Sequence, residues 1–165
     1  MKKTLYDRYP RTADKGIKGE RWLFEKLESC NQYITVKDFT DVYFMQKNGI
    51  DGSVYKTSWY RPYYFDCKHN LIKEKDGSFL LYLEWAKKRS RPGWFRTSKA
   101  DRIYHVSVND NISIFYDLKE FRKLIRKEIT KGTLKPRYKK RSPREQFLLI
   151  SSKDARFKEL FRFQF

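Results

Sequence analysis

Apolar residues first recur at helical spacing. Ile17, Leu23, Phe24 and Leu27 fall on one side of a helix that Asp14 is placed to cap and that runs to about Ser29. Residues 1–13, polar and basic with Pro10 among them, read as a flexible arm. The period then shortens. Tyr33 to Asp38 alternates as a strand does, and Val42 to Met45 is a short apolar run of either type. Gly49 opens a strand from Ile50 to Tyr55, and Tyr63 to Lys68 is its expected neighbour, with three aromatics in succession. Asp76-Gly77 signals a turn before a further strand, Phe79 to Trp85, so residues 63–85 read as a hairpin with a long loop.

Residues 87–102 carry seven basic side chains and one acid around Pro92-Gly93 and read as a basic loop. Ile103 to Val108 and Ile112 to Tyr116 are strands joined by Asn109-Asp110-Asn111. Asp117 and Glu120 then form a capping box for a helix through Ile129, with Leu118, Phe121, Leu124 and Ile125 on its apolar side. Residues 131–144 hold seven basic residues, no acid, two prolines and a glycine, the pattern of a mobile connector. Phe147 to Ile150 and a helix bearing Phe157, Leu160 and Phe161 return the chain to the body. No internal repeat is visible, and 165 residues suit one domain.

Composition changes the picture from fold to partner. Thirty-eight Lys and Arg against 20 acids give a net charge of +18, more than solubility requires, which points to a polyanion. No apolar run approaches the roughly 18 residues of a membrane span, and no signal-peptide core or lipidation box is present, so nucleic acid is favoured over a membrane surface. Cys30 and Cys67 are too few for a disulfide scaffold, and a cytoplasmic location is expected. With His69 and His105 they lack the close double-ligand spacing of a structural zinc site.

In so basic a chain, inward-facing acids need a reason. Period-two geometry puts Asp66 and Lys68 on one strand face and Cys67 on the other, and the neighbouring strand brings Asp51 toward them. Two carboxylates, with the main-chain carbonyl of Cys67, suit hard Mg²⁺, which takes oxygen ligands and keeps several waters. Such an ion acidifies a bound water and neutralises charge on a phosphoryl transition state, with Lys68 to orient that water or stabilise the charge. Glu20 shares the helix face of Leu23, Phe24 and Leu27, where a buried carboxylate calls for a partner or a metal. Gly16 and Gly19 beside it admit close approach of backbone or phosphate.

Gly19-Glu20 on an early helix, Gly49-Ile50-Asp51, and Asp66-Cys67-Lys68 ending an aromatic strand together resemble the PD-(D/E)XK nuclease superfamily, over roughly residues 14–108. The resemblance implies a mixed α+β, restriction-endonuclease-like core, with a central mixed β-sheet flanked by helices. It implies Asp51, Asp66 and Lys68 as catalytic residues, with Glu20 as an accessory acid. It also implies Mg²⁺-dependent endonucleolytic hydrolysis, with Mn²⁺ as a substitute and DNA favoured over RNA. Small nucleases of this kind are often homodimers, though no sequence feature establishes one. Gly-Ile stands where the superfamily commonly has Pro before the first acid, the second acid is Asp rather than Glu, and no second core helix is visible between Trp85 and Ile103. The Lys- and Tyr-rich composition would suit a phage protein acting in the host cytoplasm.

Each signal has a plainer reading. Acid-x-Lys arises easily in a chain that is 35% charged, and only Asp51 and Glu20 lift it above a surface ion pair. Cys67 is expected as a small core residue, and His69, which adjoins the site but is left out of the catalytic set, either touches phosphate or is simply exposed. Glu84 is expected to pair with Lys87 or Lys88, and Asp101 to cap a turn. Trp94 and Phe95 either stack on bases or pin their loop. Lys87, Lys88, Arg89, Arg91, Trp94, Arg96 and Lys99 in one basic stretch, and Lys135, Arg137, Lys139, Lys140 and Arg141 in the other, are the candidate nucleic-acid contacts. The rival functions are a non-enzymatic DNA- or RNA-binding protein and an inactive nuclease relative serving assembly.

Overall fold

The computed structural model describes residues 10–87, 91–139 and 142–165. Helix α1 (Pro10–Ser29) begins four residues ahead of Asp14, which therefore does not cap it. Proline lacks an N–H that a first helical turn would leave unused, so Pro10 starts the helix instead of delaying it. The expected arm is thereby shortened, and residues 1–9 lie outside the described residues.

The order continues β1 (Thr35–Asp38), α2 (Tyr43–Lys47), β2 (Gly52–Tyr55), β3 (Tyr63–Lys68), β4 (Ile72–Lys73), β5 (Phe79–Ala86), α3 (Trp94–Thr97), β6 (Arg102–Ser107), β7 (Ile112–Asp117) and α4 (Leu118–Thr130). It ends with β8 (Arg137–Lys139), β9 (Ser142–Ser151), a 3₁₀ turn (Lys158–Leu160) and β10 (Arg162–Gln164). The first sheet runs β1-β2-β3-β6-β7-β10 and is mixed, since β3 and β6 pair in parallel while its other pairs are antiparallel. The second, β4-β5-β9-β8, is antiparallel.

Two cores follow from the alternation of strand side chains. On one face of the first sheet Leu23, Phe24 and Leu27 of α1 pack against Val54, Phe65, Cys67, Tyr104 and Val106. On the other, Ile103, Ile114 and Tyr116 meet Leu81, Leu83, Leu148 and Ile150 of the second sheet and Phe121 and Ile125 of α4. The chain is thus a mixed α+β fold in which the mixed sheet is flanked by helices. Asp117 caps α4 as expected, accepting from the Glu120 N–H.

Three expectations fail for the same reason, that long-range pairing overrides local pattern. Residues 63–85 are not a hairpin: β3 already has β2 and β6 as neighbours, so β5 pairs with β9 and only β4–β5 turns about Asp76-Gly77. Residues 131–139 of the basic stretch are not a loose connector, while 140 and 141 lie outside the described residues. Leu134 packs on the core, Thr133 caps Glu128, and β8 forms an edge strand, a place where lysine and arginine are well tolerated. The expected terminal helix is only the 3₁₀ turn, with Phe157 and Phe161 buried against Phe121 and β10 extending the first sheet.

Close approach does occur at Gly19, but to protein. A Cβ there would lie 2.5 Å from His69 Cβ and 2.8 Å from its Cγ, whereas one at Gly16 would meet only Glu20 Oε1 at 3.9 Å. Alanine is the better helix former by about 1 kcal/mol, so Gly16→Ala should stabilise the chain by roughly 0.5–1 kcal/mol. Gly19→Ala should instead destabilise it by about 1–3 kcal/mol, through displacement of α1 or His69. Urea unfolding of both variants checks the pair, and a stabilised Gly19→Ala would contradict the packing described.

Candidate active site

Along β3, Tyr64, Asp66 and Lys68 share one face while Phe65 and Cys67 turn toward α1, as alternation requires. Asp66 is 1% exposed. Its Oδ1 pairs with Lys68 Nζ, while its Oδ2 is buried and accepts no hydrogen bond, with the Asp51 carboxylate as its neighbour. Asp51 arrives from the turn at Gly49, whose positive φ of 65° swings the chain out of α2. Asp51 N–H donates to the Phe65 carbonyl at 2.8 Å, and its Oδ2 accepts from Cys67 N–H at 2.7 Å. Its Oδ1 accepts from Gln46 Nε2 at 3.0 Å. The structure therefore brings Asp51, Asp66 and Lys68 together, as the spacing suggested.

The electrostatics follow from burial. Loss of hydration pushes the Asp66 carboxyl up to about 7 against the pull of Lys68, and the neighbouring Asp51 adds to the rise. Burial works against the Lys68 ammonium too, yet Asp66 and Asp51 outweigh it and hold that charge above the ordinary lysine range. Trp94 lies over the ammonium at 5.1 Å from ring centroid to Nζ. Behind it, His105 stands beside Lys68 in the β3–β6 register. Its Nδ1 is 2.6 Å from Asn70 Oδ1 and its Nε2 3.0 Å from the Tyr116 hydroxyl. Burial, and then the Lys68 charge, push His105 down to about 3, so it is a neutral ring at physiological pH.

Glu20 is half-buried on α1, on the opposite face of the sheet from Asp66, and its charge is felt at the Cys67 thiol. That thiol is raised first by burial and then by Asp51 and Glu20, which suits an inert core cysteine. Among the described residues no three His, Cys, Asp or Glu side chains gather into a metal-ligand group, so Glu20 does not join the two aspartates in one. His69 is occupied at α1, its Nδ1 donating to the Lys15 carbonyl at 2.7 Å. Asp101 holds Arg61 through two contacts of 2.8 Å and accepts from Tyr64 N–H, a structural role that keeps its carboxyl below the usual range despite partial burial. Glu84 pairs with Lys87 at 3.7 Å and accepts from Trp94 N–H.

Of the aromatic pair in the basic stretch, Phe95 is buried and pins the segment. Trp94 is a half-buried wall of the site and not a free wedge. Lys87, Arg91, Arg96, Lys99, Lys135 and Arg137 are exposed, while Lys139 is drawn to Glu145 at 3.0 Å. Lys88, Arg89, Lys140 and Arg141 lie outside the described residues. The sequence reading missed Gln46 and His105. Gln46 gave no signal, being a polar residue just beyond the Val42–Met45 run of undecided type. His105 was detectable from its inward parity in the Ile103 strand.

No family model matches the chain, and no curated protein matches it. Among solved structures it is similar to D212, a nuclease from a fusselovirus, at 9% identity and a TM-score of 0.34, over 92% of this chain and 86% of that one. No helix among the described residues is long and apolar enough to cross a membrane.

The two shifted groups oppose each other in pH. Asp66 keeps its proton to about 7 when folded, against an ordinary value of 3.8, so its contribution to stability declines as pH rises across that window. His105, at about 3 when folded against 6.5, contributes fully above 6.5 and loses its contribution as pH falls toward 3. Asp66→Asn removes only the first. The Tm of this variant relative to wild type should rise by several degrees between pH 4 and pH 8. A difference that stays flat in thermal melts over that range would contradict the burial of Asp66.

Proposed function

We propose that this chain is a metal-dependent DNA endonuclease with a restriction-endonuclease-like core. The observation that carries the reading is the buried Asp51–Asp66 pair beside Lys68, with Asp66 Oδ2 accepting no hydrogen bond, in a chain of net charge +18. The order helix, three antiparallel strands, then a parallel fourth supports the core assignment, and the acids stand at its second and third strands.

A buried carboxylate oxygen that accepts no hydrogen bond, next to a second carboxylate, fits a hard divalent cation, and two acids suffice for one that keeps most of its waters. Asp51 and Asp66, with the Cys67 carbonyl, would hold Mg²⁺, with Mn²⁺ as a substitute. When bound, the ion supplies an acidified water and a sink for negative charge at the phosphate. Lys68 offers its ammonium to a phosphate oxygen, and Trp94 keeps bulk water off that charge. Gln46 fixes the Asp51 carboxylate by donating to Oδ1 while the Cys67 N–H holds Oδ2. Exposed Lys87, Arg91, Arg96, Lys99, Lys135 and Arg137 supply salt-dependent attraction for the backbone.

The purified chain should nick or cut DNA with Mg²⁺ or Mn²⁺ and not with chelator. Asp66→Asn and Lys68→Ala should each lower the rate by about 10²–10³-fold. Equal cleavage by wild type and both variants would refute the site. Tight, salt-sensitive binding without cleavage of single-stranded, duplex or branched DNA or of RNA would instead favour a non-enzymatic binding protein. Gln46→Leu should reduce kcat by roughly tenfold, the worth of one hydrogen bond to a charged group, with folding intact by circular dichroism. Millimolar Mg²⁺ should raise the Tm of wild type and leave that of Asp66→Asn unchanged.

A further inference from the structure

The face of the first sheet that carries Asp66 also carries a groove of about 300 Å³, lined by Thr35, Lys37, Phe39, Ser53, Tyr55 and Tyr64. Strand register explains its construction. Lys37 is paired with Ser53 and Ser53 with Tyr64, one row across β1, β2 and β3, and Thr35 pairs with Tyr55 in the adjoining row. Two residues in the other direction along each strand lie Phe39, Asp51 and Asp66. Two residues correspond to roughly 7 Å of strand. Phe39 is common to both places: its ring stands 6.3 Å from that of Tyr64, and its N–H donates to the Asp51 carbonyl at 2.7 Å.

We propose that this groove holds an unpaired nucleotide next to the scissile phosphate, so that the chain acts on single-stranded or locally melted nucleic acid. This rests on the nuclease reading above. Tyr55, Tyr64 and Phe39 line the groove with aromatic rings, the side chains on which any base can stack and by which strands are gripped without sequence readout. Lys37 supplies an ammonium for a phosphate, and the Thr35 and Ser53 hydroxyls supply hydrogen bonds for sugar or base edge. A duplex keeps its bases stacked inside and cannot place one in such a groove without unpairing it. The excess of basic charge selects a polyanionic strand over an apolar peptide as the occupant.

The test is fluorescence anisotropy of the full chain with dye-labelled oligothymidine and with a duplex of equal length, both in chelator so that nothing is cut. The single strand should bind more tightly. Tyr55→Ala should weaken strand binding by roughly tenfold, and Tyr55→Phe should restore it. Lys37→Ala, at an exposed position, should weaken it about threefold and lower the salt slope by about 0.7, the share of one phosphate contact. Equal affinity for duplex and strand, or wild-type affinity in both alanine variants, would overturn the groove assignment. Cleavage abolished by Asp66→Asn alongside unchanged binding in the groove variants would overturn the groove and spare the nuclease. Strand binding lost in the groove variants of a chain that cuts nothing would uphold the groove as a binding site and overturn the nuclease.

Discussion

The parallel pairing of β3 with β6 governs the molecule. Parallel neighbours cannot be joined by a tight turn, so residues 69–101 must cross over the sheet before β6 begins. Such crossovers usually use a helix. Here the segment uses the β4–β5 hairpin and four-residue α3, and β5, left with an open edge, recruits β9. The second sheet and most of the larger core are therefore consequences of one pairing. So is the site, since the same register sets Lys68 beside His105 and the crossover lays Trp94 over the Lys68 ammonium.

Around that frame the charge is divided by depth. Most basic side chains remain in water, where their mutual repulsion is screened, while Asp51 and Asp66 are taken almost wholly out of it. Desolvation sets the energetics of the pair, with a single ammonium beside two carboxylates and one oxygen accepting no hydrogen bond. On the metal-dependent function proposed, that pair is where the cation would bind. Neutral His105, with both ring nitrogens occupied, completes a wall that adds no competing charge.

What was legible in the sequence was what neighbours along the chain determine. The Tyr63–Lys68 strand has the bounds its pattern indicated, the Asp66 and Lys68 side chains share a face by parity alone, and Asp117 caps α4 through a residue three positions on. What was not legible depends on partners far away. Leu80 pairs with Ser151, so nothing local announces the second sheet, and Arg137–Lys139 has loop composition but finds an edge to join. Pro10 was misread because its effect depends on position within a turn. Gln46 acquires meaning only when Gly49 turns the chain so that Asp51 meets it.

The β5–β9 pairing also bears on how the chain comes into being. β1, β2, β3, β6 and β7 all precede α4, so the strands that carry both acids and the lysine leave the ribosome well before β9 does. Until then β5 has Leu81 and Leu83 waiting for Leu148 and Ile150, and the hydrogen-bonding edge that will receive β9 stands open. The last part of synthesis thus closes an adhesive edge rather than building the site. Truncation or stalling before Ser142 would leave a nascent chain with its acid-bearing strands complete and the β5 edge that receives β9 unpaired.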